Sequence, residues 1–331
     1  MYRTRDEFLR VCEEAFFDPL RRPVLDAALR VRERIKAEEA IKRYLAHAQK
    51  NRRHMPSYTK ICGYTLRKIV RETEIEYLDE LEIERLEEYC DCLDVDPHTV
   101  RNHLAALGGL LRWAHRNRHV SENAARLVDA PRLQAKEIVF VPPELINKVL
   151  KTVAEDPLVE GAVATALFAG LRRGEIQWLQ PQDVDLDRRV LKVRAKAVGA
   201  ERWEPKTHKN REVPINSRLW GYLKRQTEQA PASTWLFPAE KGGRWNGNKL
   251  GPRVRELIRK IVPKQAPEGF AGYGFREFRH TYATILAAQG VPLGRIAEYM
   301  GNSVLVIERY YRGFLPSQHR DEVEFRLLEA T

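Results

Sequence analysis

Long apolar runs are missing from this chain of 331 residues. The most hydrophobic stretch, residues 162–171, is about half the length that a bilayer crossing requires. With 31% charged residues, the composition excludes a membrane protein. A secretion leader is missing too. Arg3, Arg5, Asp6 and Glu7 are followed by no sustained apolar core, so the expected location is the cytoplasm. Cysteine is scarce. Cys12, Cys62, Cys90 and Cys92 have no partner pair at zinc-finger spacing, so free buried thiols are expected rather than a metal site. No Gly-x-x-x-x-Gly-Lys-Ser/Thr loop offers a phosphate cradle, and no carboxylate cluster stands out. Neither a cofactor nor a small-molecule substrate is indicated. Internal repeats and low-complexity tracts do not stand out either.

What is present is length and positive charge. The chain is longer than one core usually holds, so two domains are expected, and 43% hydrophobic residues suffice to fill them. The net charge is +11. Lys and Arg number 26 against 24 Asp and Glu in residues 1–138, but 31 against 22 in residues 139–331. Duplex DNA carries a negative charge every ~1.7 Å, so a basic excess in one half points to a polyanion partner. Charge alone fits mere solubility equally well.

The first half has helical patterning over residues 22–50, 57–72 (with Ser57 or Thr59 as cap) and 81–92. Asp96 and Pro97 give a cap and first turn. The helix they begin puts Val100, Leu104, Leu107, Leu111 and Ala114 on one stripe, with Arg101, Arg112, Arg116 and Arg118 elsewhere. Residues 129–142 lack a helical period and hold two prolines, as an interdomain linker does, with the boundary near 138.

The second half is mixed. Ile146, Val149, Leu150 and Val153 mark a helix, and residues 158–170 are apolar all round, as in a central buried helix. Short β-like runs follow at 189–195, 201–204 and 211–215, joined by turns over 195–200 and 205–210. Helices are predicted at 217–229, 246–261, 275–289, 292–299 and 303–311. The fold class is therefore mainly α with a small β-sheet (α+β). Residues 317–331 have a helical pattern with Val323, Leu327 and Leu328 on one side.

Four stretches of the second half stand out together: GLRRGEI (170–176), PKTHKNREVPI (205–215), FREFRHTYAT (275–284) and MGNSVLVIERYYR (300–312). In order and spacing they resemble the tyrosine recombinase, or phage integrase, family. That family's pattern is Gly-Leu-Arg-x-x-Glu, a hairpin Lys, His-x-x-Arg-His, Gly-His, and a Tyr nine residues after the last His. The resemblance covers nearly all of 139–315 and extends more weakly to 40–130. Any one motif is weak; four in register are specific.

The resemblance implies a layout: a charged helical extension over 1–36, a helical core-binding domain over 37–130, a linker over 131–142, and a catalytic domain over 143–331 ending in a helical tail. It also implies roles. Arg172 and Arg279 would clamp the scissile phosphate, since a guanidinium offers a planar fork of donors and stays charged. Arg173 is the neighbour most easily confused with Arg172. Glu175 would orient the first arginine. Lys206 would protonate the leaving 5′ oxygen, with Lys209 and Arg211 as alternatives or as backbone contacts. Tyr311 would be the nucleophile, with Tyr310 as competitor. A free tyrosine is only about 0.1% ionised at pH 7, and a dry site with two or three cations could recover the deficit of about 4 kcal/mol.

Two positions depart from the family. Arg276 replaces the first histidine of His-x-x-Arg-His, and Asn302 that of Gly-His. Arginine cannot accept a proton near neutral pH, so the role of base falls to His280 or to water. Arg276 can serve as a third phosphate cation, and Asn302 can still donate a hydrogen bond. The partners implied are double-stranded DNA and three further copies of the chain, a homotetramer on paired sites. Arg101, Arg112, Arg116, Lys209 and Arg211 are candidate DNA contacts. Two other readings stay open: a DNA-binding protein with a weakened active site, and a type IB topoisomerase.

Overall fold

Two stretches of apolar periodicity, one before and one after the linker, bury themselves separately. In the computed structural model the chain divides into two units at the 135/136 junction. The structure describes residues 34–50, 56–133, 137–229, 233–263 and 270–316. The helical patterns over most of 1–36 and over 317–331, and Cys12, lie outside the described residues.

Among the described residues the first unit holds four α-helices: α1 (Ala37–Lys50), α2 (Pro56–Glu72), α3 (Ile83–Asp91) and α4 (Pro97–Arg116). In α1 the buried residues Ala37, Ala40, Ile41, Tyr44 and Ala48 recur at helical spacing. The Asp96 carboxylate accepts from the His98 amide at 2.9 Å, and Pro97 occupies the first turn, where its missing N–H costs nothing. All five residues of the expected α4 stripe are buried, against Ile41, Leu66 and Ile69 among others. Arg101, Arg112 and Arg116 lie on its exposed side. Cys62 is buried and Cys90 half-buried, but Cys92 is exposed at the end of α3, where the apolar stripe has run out.

The second unit is built round α6 (Pro157–Ala169), which is buried on nearly every side. α5 (Pro143–Val153), α8 (Ser217–Gln229), α9 (Gly247–Ile258) and α10 (Phe275–Ala288) all pack on it. A five-residue helix, α7 (Arg173–Gln177), was not visible in the sequence because it is too short to show a period. β1 (Val184–Asp185), β2 (Val190–Val193) and β5 (Arg211–Pro214) form an antiparallel sheet in the order β1-β2-β5, with Leu191 opposite Val213. Between β2 and β5 the chain inserts a second hairpin, β3 (Lys196–Val198) and β4 (Glu201–Trp203). Half of the expected turn over 195–200 is thus strand. Gly199, at φ 58°, permits a reversal of only two residues.

α11 (Leu293–Met300) and α12 (Val304–Tyr311) close the unit with α10 round Tyr282, Ala283, Ile296, Met300, Ile307 and Tyr311. The end of the expected linker belongs to this unit. Val141 is buried in its core, and the Val141 amide donates to Thr281 Oγ1 at 2.8 Å. Phe140 meets the Phe314 ring edge-on at 5.5 Å. No helix among the described residues is long and apolar enough to cross a membrane.

Candidate active site

The first arginine is presented by a forced change of direction. α6 ends at Gly170, whose φ of 63° lies in the left-handed region. A Cβ there would stand 2.3 Å from the Tyr282 ring, so glycine is required both for conformation and for space. Leu171 is then buried as an anchor and Arg172 caps α7. The Glu175 carboxylate accepts from the Arg172 amide at 2.9 Å and from its Nη1 at 3.0 Å. Arg172 Nη1 also donates to the Met300 carbonyl at 3.4 Å and Nη2 to the Gly301 carbonyl at 3.0 Å. The Arg172 side chain keeps 26% of its surface open to solvent.

Arg279, on the first turns of α10, reaches the same place from the other side. Its Nη1 donates to the Gly170 carbonyl and its Nη2 to the Met300 carbonyl, each at 2.6 Å. Both arginines therefore share Met300, and the carbonyl-rich ends of α6 and α11 hold them. A helix C-terminus carries partial negative charge, which suits a cation. Burial first, and then the neighbouring Arg172, pull Arg279 down to about 9, so it remains a cation at neutral pH. Asn302 Oδ1 accepts from Arg172 Nη2. Because an arginine only donates, this fixes the amide's orientation and leaves Nδ2 as the outward donor.

Glu175, 2% exposed, is the hub beneath these cations. It accepts from Arg211 Nη2 at 2.7 Å and lies 3.9 Å from Arg279. Burial pushes its carboxyl upward, but the Arg211 hydrogen bond and the surrounding positive charge outweigh this, and the net displacement is downward. Arg211, one of the candidate contacts, is turned onto Glu175. Its side chain is only 6% exposed, it is paired with Glu175, and its Nε donates to the Tyr299 carbonyl at 2.8 Å. It braces the carboxylate that also holds Arg172.

Tyr311 is 2% exposed, and its hydroxyl lies 2.5 Å from His280 Nδ1. Tyr310, next to it, is 44% exposed. Nearby cations pull the Tyr311 phenol down as expected, but by less than burial raises it. Burial pushes it up to about 12, and the opposing pull of Arg279 and Arg276 recovers only part of that. His280 is displaced the other way, down to about 4, by burial first and then by Arg276 and Arg279. It is therefore a neutral imidazole, able to accept a proton. Arg276 itself is exposed on the first turn of α10. The sequence pointed to His280 only through its motif. Nothing in it showed that His280 and Tyr311, 31 residues apart, touch.

Lys206 and Lys209 are exposed on the turn between β4 and β5. Lys206 makes no hydrogen bond or ion pair with a described residue, so the structure does not tie it to the clamp. Arg101, Arg112 and Arg116 belong to the first unit, where Arg101 Nε donates to the Pro131 carbonyl at 2.9 Å.

The model of the phage integrase family matches residues 141–314, more than half of the sequence and every residue of this network. The chain belongs to that family. Among curated proteins it is 30% identical over 230 residues to a tyrosine recombinase XerC-like protein of Caldanaerobacter subterraneus, covering 57% of each chain. It is 26% identical to the integrase of Salmonella phage P22, covering 64% of this chain and 53% of the phage protein. The match thus spans a little over half the length of these two relatives. Among solved structures, it superimposes on the Tn1549 transposon integrase in complex with transposon right end DNA with a TM-score of 0.69 at 18% identity, over 87% of this chain and 96% of that one. A lambda integrase dimer bound to a core site gives a TM-score of 0.69 at 13% identity, over 98% of this chain and 89% of that one. At such identities the structures speak for a shared integrase fold.

Proposed function

We propose that this integrase-family chain cleaves and rejoins duplex DNA by transesterification through a covalent phosphotyrosine. The observation that carries the reading is the meeting of Arg172 and Arg279 at the Met300 carbonyl, with Asn302 on Arg172. Beside it a tyrosine hydroxyl rests on a neutral histidine flanked by Arg276 and Arg279.

The Tyr311 oxygen attacks the scissile phosphorus while its proton passes to His280 Nδ1. The bond from phosphorus to the 5′ oxygen breaks, and that oxygen takes a proton from Lys206. The products are a 3′-phosphotyrosyl ester and a free 5′ hydroxyl. Attack by a hydroxyl of a partner strand reverses the sequence. Bond energy stays in the ester, so the step balances without a nucleotide or a metal. Arg172, Arg279 and the Asn302 amide hold the non-bridging oxygens and meet the charge that grows in the pentacoordinate state. Arg276 adds a further cation. An imidazolium between two arginines is unfavourable, so the incoming phosphate completes His280 as a base.

Residues 37–130 act as a core-binding domain whose α4 sets Arg101, Arg112 and Arg116 against phosphates. Lys209 does the same from the turn between β4 and β5. Phosphate contacts of this kind fix register without reading sequence. Exchange between two duplexes needs four active sites, hence a homotetramer on paired DNA in the cytoplasm, with residues 317–331 docking between copies. Deleting 316–331 is expected to abolish synapsis in a gel shift while single-site binding survives.

A second reading, a DNA-binding protein with a weakened active site, draws on the burial of Tyr311 and its upward displacement. One experiment separates the two. On a nicked suicide substrate, the active enzyme leaves a covalent band in a denaturing gel, and Tyr311→Phe abolishes it. A DNA-binding protein without catalysis gives no band with either form.

A further inference from the structure

Lys206 sits on a turn that has no tie of its own to the clamp, yet proton transfer needs an approach of about 2.6–3.2 Å. Something must hold the turn. Its internal bonds only shape it. The His208 amide donates to the Pro205 carbonyl at 2.8 Å, and the His208 ring lies 3.0 Å from Glu204. The Ala195 amide donates to Asn210 Oδ1 at 3.1 Å across its base.

The inserted β3–β4 hairpin, by contrast, is moored to the body of the unit along both strands. On β3, Lys196 Nζ meets Asp183 Oδ2 at 2.7 Å, and both side chains are buried. The other Asp183 oxygen takes Arg194 Nε at 3.0 Å. On β4, the Trp203 indole stacks on Trp178, with centroids 6.0 Å apart and planes 14° from parallel. Trp178 is itself buried and meets Trp235 edge-on at 5.4 Å. Arg244 lies over the Trp178 ring at 4.4 Å and pairs with Glu201 of β4 at 2.8 Å. Burying a charged pair such as Lys196–Asp183 costs desolvation and adds little net stability, so its value lies in fixing geometry. An isolated two-stranded hairpin is marginal in water. These moorings are what make this one a platform.

We propose that Trp203, stacked on Trp178, and the Lys196–Asp183 pair are positioning residues for Lys206. They fix the strand from which the lysine turn departs three residues later, and so deliver the ammonium to the leaving 5′ oxygen. The inference rests on the reading of Lys206 as general acid, and the test must separate the two.

The test is single-turnover cleavage by the full chain of two suicide substrates: one with the ordinary 5′ oxygen, one with sulfur in that bridging position. In both, the bond from Tyr311 to phosphorus forms and the bond to the 5′ atom breaks. A thiol ionises near ~8.5, so sulfur departs as thiolate and needs no donated proton. Both substrates report on the same folded enzyme, so the ratio of their rates is indifferent to how much of a variant has folded. Trp203→Ala is expected to slow the oxygen substrate about 10–100-fold and the sulfur substrate less than about 3-fold. Trp203→Phe, which keeps a flat ring on Trp178, should restore most of the loss. Lys196→Met should show the same selectivity with a smaller effect. Lys206→Ala must be slow on oxygen and recover on sulfur. If Lys206→Ala is equally slow on both, the general-acid reading fails and takes this inference with it. If Lys206→Ala recovers but Trp203→Ala does not discriminate between the substrates, the acid stands and the positioning role is overturned.

Discussion

Each unit of this protein contains a tyrosine hydroxyl hydrogen-bonded to a histidine Nδ1: Tyr89 with His103 at 2.8 Å in the first, Tyr311 with His280 at 2.5 Å in the second. Both tyrosines are buried. Burial raises both phenols and lowers both imidazoles. The pairs differ in what surrounds them. Round Tyr89 the next influences, Glu72 and Cys90, raise the phenol further. Round Tyr311, Arg279 and Arg276 oppose the rise. The first pair is a satisfied contact within a helical core. The second is the same contact set among cations, as the proposed attack on a phosphate requires. A tyrosine–histidine bond alone is therefore no sign of chemistry; the charges around it are.

The largest test of that comparison removes each hydroxyl. Tyr311→Phe is expected to eliminate covalent DNA complexes, whereas Tyr89→Phe should leave their yield intact and cost about 1 kcal/mol of stability in thermal melting. Removing the cations comes next. Arg279→Met or Arg172→Met should slow single-turnover cleavage on the order of 100–1,000-fold, the loss of one strong oxyanion donor. Lys68→Met, beside His103 in the other pair, should change it by less than about 2-fold (an order-of-magnitude bound for a half-buried charge outside the site). His280→Asn should slow cleavage about 100-fold, the low end for a lost base, while DNA affinity in a gel shift stays unchanged.

The smallest expected effect is on stability against pH. His280 ionises near 6.5 when unfolded and about 4 when folded. Between those values the unfolded chain binds the extra proton, so stability falls as pH drops through this window. The contribution is intact above the unfolded value. Denaturant melts at pH 7 and at pH 4 should therefore show a loss that shrinks in His280→Asn by at most about 3 kcal/mol. An equal loss in the variant would mean that the ring is not held neutral.

Much of the fold was legible because its signals are local. Asp96-Pro97 and the five-residue stripe define α4, and an all-round apolar segment ending in glycine defines α6. The clamp was partly legible, since Gly170-Leu171-Arg172 encodes a turn and an exit direction. The rest depends on contacts that no local pattern reports. Arg211 looks like Lys206 and Lys209 in sequence, and only the pairing of β5 with β2 sets it on Glu175. The run at 201–204 pointed to β4, but its partner β3 was hidden inside an expected turn because it is only three residues long. Cations near Tyr311 could be counted from motifs, but its burial among Tyr282, Ile296, Met300 and Ile307 could not. That burial reversed the expected direction of its shift.

The central claim is that the bond to DNA forms on Tyr311 and not on its exposed neighbour. Covalent complex from a suicide substrate, digested with nuclease and trypsin, should release the peptide Tyr310–Arg312, because arginines flank it at 309 and 312. Fragmentation mass spectrometry then places the remaining 3′-nucleotide. It is expected on Tyr311; a nucleotide on Tyr310, or on any other residue, would rule out Tyr311 as the nucleophile.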